Sequence, residues 1–154
     1  MRLLTMAIAV VSTLAAIGCG REQLTPAVLE VGREACAYCR MTVSDSHLAS
    51  QVLAPGELPK FFDDFGCLNH FLTATTEVPA GAAIFVTDHR TNEWVPAETA
   101  VFARVPLLAT PMSSHLVAHA SLESRAADPA ATGGSPVAVA EVLPSAWDTR
   151  RGHR

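Results

Sequence analysis

The chain has 154 residues, enough for one domain or for two very small modules sharing a core. Hydrophobic residues make up 49% of it, which excludes a wholly disordered chain. The formal net charge is -4, and only Arg33, Arg40 and Lys60 are basic between Gly32 and Phe62, so no basic surface points to nucleic acid.

The N-terminus, "MRLLTMAIAVVSTLAAIGCG", has a positive start at Arg2 and a run from Leu3 to Ile17 that is apolar or small almost throughout. That run is too short for a comfortable membrane span and has the form of an export signal. It closes in "AAIGC", which resembles the lipobox of bacterial lipoproteins, with Ala16 where Leu is commoner. The resemblance implies a signal over residues 1–18, acylation of Cys19, and a mature chain in the periplasm, held to a membrane by its lipid. An ordinary secretory signal cut nearby is the alternative, and it too places the chain outside the cytoplasm.

Residues 19–32 read as a polar tether containing Pro26. "MTVSDSHLASQVLAPGE" alternates and is rich in Val, Leu and Thr, which predicts one or two strands closing in a turn at Pro55-Gly56. In "KFFDDFGCLNHFL" the period changes. Phe65, Leu68 and Leu72 recur at helical spacing with Phe71 beside them, and Asp63 or Asp64 supplies the N-cap of a short amphipathic helix. A strand is expected over Ala82–Asp88 and a turn at Thr91-Asn92. "EWVPAETAVFARV" then reads as a strand pair, or as a strand and a turn. Pro111 and Ser113-Ser114 are expected to open a helix through "HLVAHASLESRAA". After a turn at Gly133-Gly134, "PVAVAEV" predicts a last strand, and 144–154 a loose tail. This order predicts an α+β fold of two ββαβ-like modules, 33–89 and 90–143, with one irregular α+β domain as the alternative.

The cysteines carry the chemistry. With Cys19 acylated, Cys36, Cys39 and Cys67 remain, an odd number that cannot be fully paired within one chain. Cys36 and Cys39 have the spacing to grip one metal or to form a small disulfide ring. No second Cys or Cys/His pair follows at zinc-finger spacing, and a β-like run follows where a thioredoxin-type motif would open a helix. Met41 lies two residues beyond Cys39, and a thioether suits Cu(I) far better than zinc. Without that context, packing in the core would be the expected role for a lone Met. On the expected second helix, Met112, His115 and His119 share a face, again a soft-metal combination. The alternative there is a core Met with a solvated imidazole. His47, His70 and His89 read as surface or locally satisfied residues. Asp63 and Asp64 are adjacent, so they diverge at a helix start, and a cap is favoured over an acid–base pair. No nucleophile with an orienting base and no phosphate loop is present, which argues against an enzyme.

"CAYCRM", "FFDDFGCL" and "TPMSSHLVAH", behind a lipobox and followed by "GGSPVAV", together resemble the NosL family of nitrous oxide reductase accessory lipoproteins. The resemblance spans Cys36 to Val142. It implies paired ββαβ modules and a periplasmic Cu(I) metallochaperone that supplies the reductase's copper–sulfide centre, or another exported copper enzyme. Carried over by motif, Cys36, Cys39 and Met41 match the family's Cys/Met stretch, Met112 matches its later "PM" motif, and His115 lies just beyond. Cys67 joins them as a soft donor at a helix start. Arg40 departs from the pattern, because Gly is common between the second Cys and the Met. The rival readings are an exported thiol–disulfide protein using Cys36 and Cys39, and a small structural zinc module using Cys36, Cys39 and Cys67.

Overall fold

A computed structural model describes residues 24–147. The signal region, Cys19, the start of the tether and residues 148–154 lie outside the described residues. Among the described residues, seven strands form two antiparallel sheets. Strands β1 (Ser50–Leu53), β2 (Lys60–Phe62), β3 (Ala83–Thr87) and β4 (Trp94–Pro96) make the first, in the order β2-β1-β3-β4. Strands β5 (Val101–Arg104), β6 (Leu116–His119) and β7 (Ser135–Val137) make the second, in the order β6-β5-β7. Helix α1 (Phe65–Ala74) runs between β2 and β3, and α2 (Leu122–Ala126) between β6 and β7. Each sheet therefore carries the order strand, strand, helix, strand, with the first strand in the centre. The fold is α+β, and β4 extends the first sheet past residue 90 by pairing with β3.

Helix α1 forms as its sequence dictates. The Asp64 side chain caps it by accepting the Gly66 N–H at 2.6 Å. Phe65, Cys67, Leu68 and Leu72 make its buried face. Fully burying one large apolar side chain is worth about 1.5–3 kcal/mol, so this stripe outweighs the helix's lack of charge pairs. The helix packs into a core shared by both sheets, which joins Val52, Phe62, Ile84 and Val86 to Phe102, Leu116 and Ala118. Trp147 closes that core, its indole N–H donating to the Leu72 carbonyl at 3.0 Å, so residues 144–147 are anchored to the core through Trp147 where a loose tail was expected. The sheets also meet through backbone, where the His89 N–H donates to the Ala118 carbonyl at 2.8 Å.

Three sequence expectations need correction. The segment from Met41 to Ala49 is not a continuous strand; Asp45 caps a 3-10 turn over Ser46–Leu48 ahead of β1. The helix expected from Pro111 onward is instead a turn, strand β6 and the short helix α2. Ser113 and His115 both have φ 57, a left-handed backbone that no α-helix tolerates. All four residues of β6 are buried, with Val117 against Leu48, Ala103 and Val105 and Leu116 and Ala118 in the main core. A strand buried on both faces satisfies "LVA", which one stripe of a surface helix could not. Ser121 then caps α2, accepting the Ser124 N–H at 3.1 Å. Finally, "PVAVAEV" pairs only as far as Val137. Val139–Val142 forms a helical turn, α3, with Glu141 accepting the Ala138 N–H at 3.1 Å.

Candidate metal centre

The thiols at 36, 39 and 67 converge. Cys36 is fixed by a parallel bridge to Phe61, and its N–H donates to the Met41 carbonyl at 2.7 Å. The Ala37 N–H donates to the Phe61 carbonyl at 2.7 Å, which ties the Cys-x-x-Cys turn to the edge of β2. Cys67 comes from the first turn of α1. The ligand atoms of Cys36, Cys39, Asp63 and Cys67 all lie within 4.8 Å of one another. All three cysteines are free; Cys36 and Cys67 are buried, and Cys39 is partly exposed. The cluster is thus closed on the core side and reached past Cys39.

The electrostatics favour the neutral form of the two buried thiols, Cys36 and Cys67. Burial pushes the Cys36 thiol up, and backbone N–H groups only partly oppose it. Burial pushes the Cys67 thiol up further, reinforced by the neighbouring Cys36 and Asp63. Neutral thiols can be buried without a counter-charge, whereas thiolates cannot. The Cys39 thiol points at Asp63, with Sγ 3.5 Å from Oδ1 and 3.7 Å from Oδ2. Asp63 is buried. A soft cation entering here displaces thiol protons and meets sulfur donors that lie within 4.8 Å of one another.

Arg40 takes φ 68, the left-handed conformation that glycine adopts without cost. The turn keeps its path, with the Arg40 N–H donating to the Cys36 carbonyl at 3.0 Å. Met41 follows it with 55% exposure, and Met112 is 45% exposed. Neither methionine is a core filler. The Met112 N–H donates to Oδ2 of Asp64, the residue that follows Asp63 of the cluster, at 3.0 Å. Asp64 therefore caps α1 and clamps the 110–114 turn to it. Burial opposes its charge, but the Thr110 and Ser114 hydroxyls and the Met112 and Gly66 N–H groups outweigh that and hold its carboxyl below the ordinary value. Gly66 permits the clamp, because a Cβ there would lie 2.9 Å from Asp64 Oδ1 and 3.2 Å from Ser114 Cβ.

His115 stands apart from the thiol cluster. Its Nδ1–H donates to the Leu108 carbonyl at 2.7 Å, leaving Nε2 as its available lone pair. The shared helical face of Met112, His115 and His119 does not exist. His119 is buried at the end of β6, with its Nε2 2.9 Å from Asp128. Sequence reasoning passed over Asp63 as a cluster member. Its spacing of four from Cys67 across a helix start was the available signal.

No curated protein and no solved structure was found to match this chain. Among the described residues no helix is long and apolar enough to cross a membrane. The NosL family model matches residues 29–147, a stretch that contains the whole thiol cluster and the Met112 turn, and the chain belongs to the NosL family.

Proposed function

We propose that this protein is a Cu(I) metallochaperone, in which Cys36, Cys39 and Cys67 hold one copper ion as cargo. The observation that carries the reading is the gathering of three unpaired sulfurs within 4.8 Å of one another. Cu(I) favours soft sulfur in low coordination number, and an ion so held keeps its reduced state in an oxidising compartment. Asp63 accepts from the Cys39 thiol at 3.5 Å and so aims its sulfur into the cluster. The exposed thioethers of Met41 and Met112, with His115 through Nε2, receive the ion at the solvent side. There a client's ligands displace them one at a time, so copper leaves without being released as a free ion.

The chain acts in the periplasm, anchored by a lipid on Cys19, and delivers copper to nitrous oxide reductase for assembly of its copper–sulfide centre, or to another exported copper enzyme. A short tether keeps it beside the membrane where such clients mature. The test is transfer. Reduced chain loaded with Cu(I) is mixed anaerobically with copper-free reductase, and copper is followed into the enzyme. Uptake that fails with Cys39→Ser supports the reading; copper that stays on the chaperone removes the reductase as client.

One observation favours a second reading. Asp63 gives the cluster four donors, three sulfurs and one carboxylate, a set that closes a tetrahedral Zn2+ site. A structural zinc site would unfold on chelation, whereas a copper carrier stays folded when emptied.

A further inference from the structure

A second set of donors meets where the two sheets join. His89 follows β3, His119 ends β6, and Asp128 begins the 3-10 turn after α2. Asp128 Oδ2 lies 2.7 Å from His89 Nδ1 and 2.9 Å from His119 Nε2. The three ligand atoms fall within 4.8 Å of one another. The arrangement is held from outside. Asp128 Oδ1 accepts the Ala130 N–H at 2.9 Å, and the His47 ring donates from Nδ1 to the His89 carbonyl at 2.7 Å. The side chains are 0% exposed for His119, 5% for Asp128 and 14% for His89, so the set is closed except past His89.

A hydrogen-bonded knot, two imidazoles donating to one carboxylate, would account for these contacts. It crowds both donors onto a single oxygen and leaves His119 Nδ1 buried without a partner. Burial opposes the charge of Asp128, but the two imidazoles outweigh it and keep the group a carboxylate. Two imidazoles and one carboxylate on three separate elements are also a donor set that borderline divalent ions take, and that Cu(I) does not prefer.

We propose that His89, His119 and Asp128 form a second metal site, for a divalent ion of the Zn2+ class, separate from the thiol cluster. The ion replaces the two N–H protons that now face Asp128. Each ring binds through that nitrogen and carries its proton on the other. His119 Nδ1 lacks a partner in either tautomer, so it does not decide between the two states. A tetrahedral ion with bonds near 2.0–2.1 Å sets its ligand atoms roughly 3.3 Å apart, so each contact opens by about half an ångström. Solvent supplies the fourth position on the His89 side. The ion would fasten β3, β6 and the α2 turn together, and so bind the two sheets at their junction.

The test uses the full reduced chain, anaerobic, with one equivalent of Cu(I) added first and Co2+ then titrated as a spectroscopic probe. The expected result is one Co2+ per chain, with visible ligand-field bands and no sulfur-to-cobalt charge transfer, displaced by Zn2+ and accompanied by a higher thermal midpoint. Asp128→Asn keeps an oxygen to accept the imidazole N–H groups but removes the anionic ligand, and it should weaken Co2+ binding tenfold or more. His89→Gln, at the most exposed of the three positions, should do the same and decides the matter if Asp128→Asn fails to fold. Absence of the bands, bands with sulfur charge transfer, or wild-type affinity in the variants would overturn the site.

Discussion

Asp64→Ala tests the link between helix α1 and the Met112 turn. The carboxylate caps α1 through the Gly66 N–H at 2.6 Å and accepts the Met112 N–H at 3.0 Å. Loss of an N-cap costs about 1 kcal/mol. Loss of the acceptor for the Met112 N–H and the Thr110 and Ser114 hydroxyls adds roughly 1–2 kcal/mol, less than full burial would imply because this turn borders solvent. The expected destabilisation is about 2–3 kcal/mol, which a domain of ordinary stability survives. Asp64→Asn retains the cap but turns a donor toward the other groups, so it should cost about 1 kcal/mol. Urea unfolding gives both values, and amide exchange at Met112 should quicken in the Ala variant before global unfolding. If Asp64→Ala lies within about 0.5 kcal/mol of wild type, with Met112 exchange unchanged, the clamp carries no energy and the reasoning fails.

Asp88 is buried, and although burial opposes its charge, N–H groups of Ala120, Thr91 and Arg90 and the Ser124 hydroxyl hold it at about 2. Its folded value is lower than its unfolded one, so its stabilisation is present above pH ~4 and lost as pH falls toward ~2, about 2 kcal/mol in all; Asp88→Asn should flatten that acid limb in pH-dependent unfolding. Arg40 sits at φ 68, where an L-residue pays about 1–2 kcal/mol, so Arg40→Gly should raise stability by roughly 0.5–1 kcal/mol after glycine's greater unfolded entropy, read from the denaturant midpoint. Met41→Leu and Met112→Leu keep volume at exposed positions and should leave unfolding unchanged while slowing Cu(I) transfer to a chelator; unaltered transfer in both would remove the thioethers from the exit path.

What was legible in the sequence was local. Helix α1 declared itself because its cap, its buried stripe and its period agree within ten residues. The turn at Pro55-Gly56 and strand β3 were legible for the same reason, punctuation beside an apolar run. Strand β6 was not, because Leu, Ala and His are compatible with a helix, and only pairing with β5, some fifteen residues away, decides otherwise. The left-handed turn at Ser113 and His115 follows from that pairing and has no glycine to announce it. The thiol cluster was half legible. Cys36 and Cys39 are neighbours in sequence, but bringing them to Cys67 and Asp63 takes the bridge of Cys36 to Phe61 on β2. The meeting of His89, His119 and Asp128 was invisible, since it depends on how the two sheets join.

The most direct test of copper binding at the thiol cluster is an anaerobic Cu(I) titration of the reduced chain against a competing chelator, run beside Cys36→Ser, Cys39→Ser and Cys67→Ser. The account predicts one tightly held Cu(I) per chain, and an affinity lowered by at least tenfold in each variant, because each removes one of three sulfurs that lie within 4.8 Å of one another. Wild-type affinity in Cys67→Ser together with Cys36→Ser would place the copper elsewhere and contradict the account.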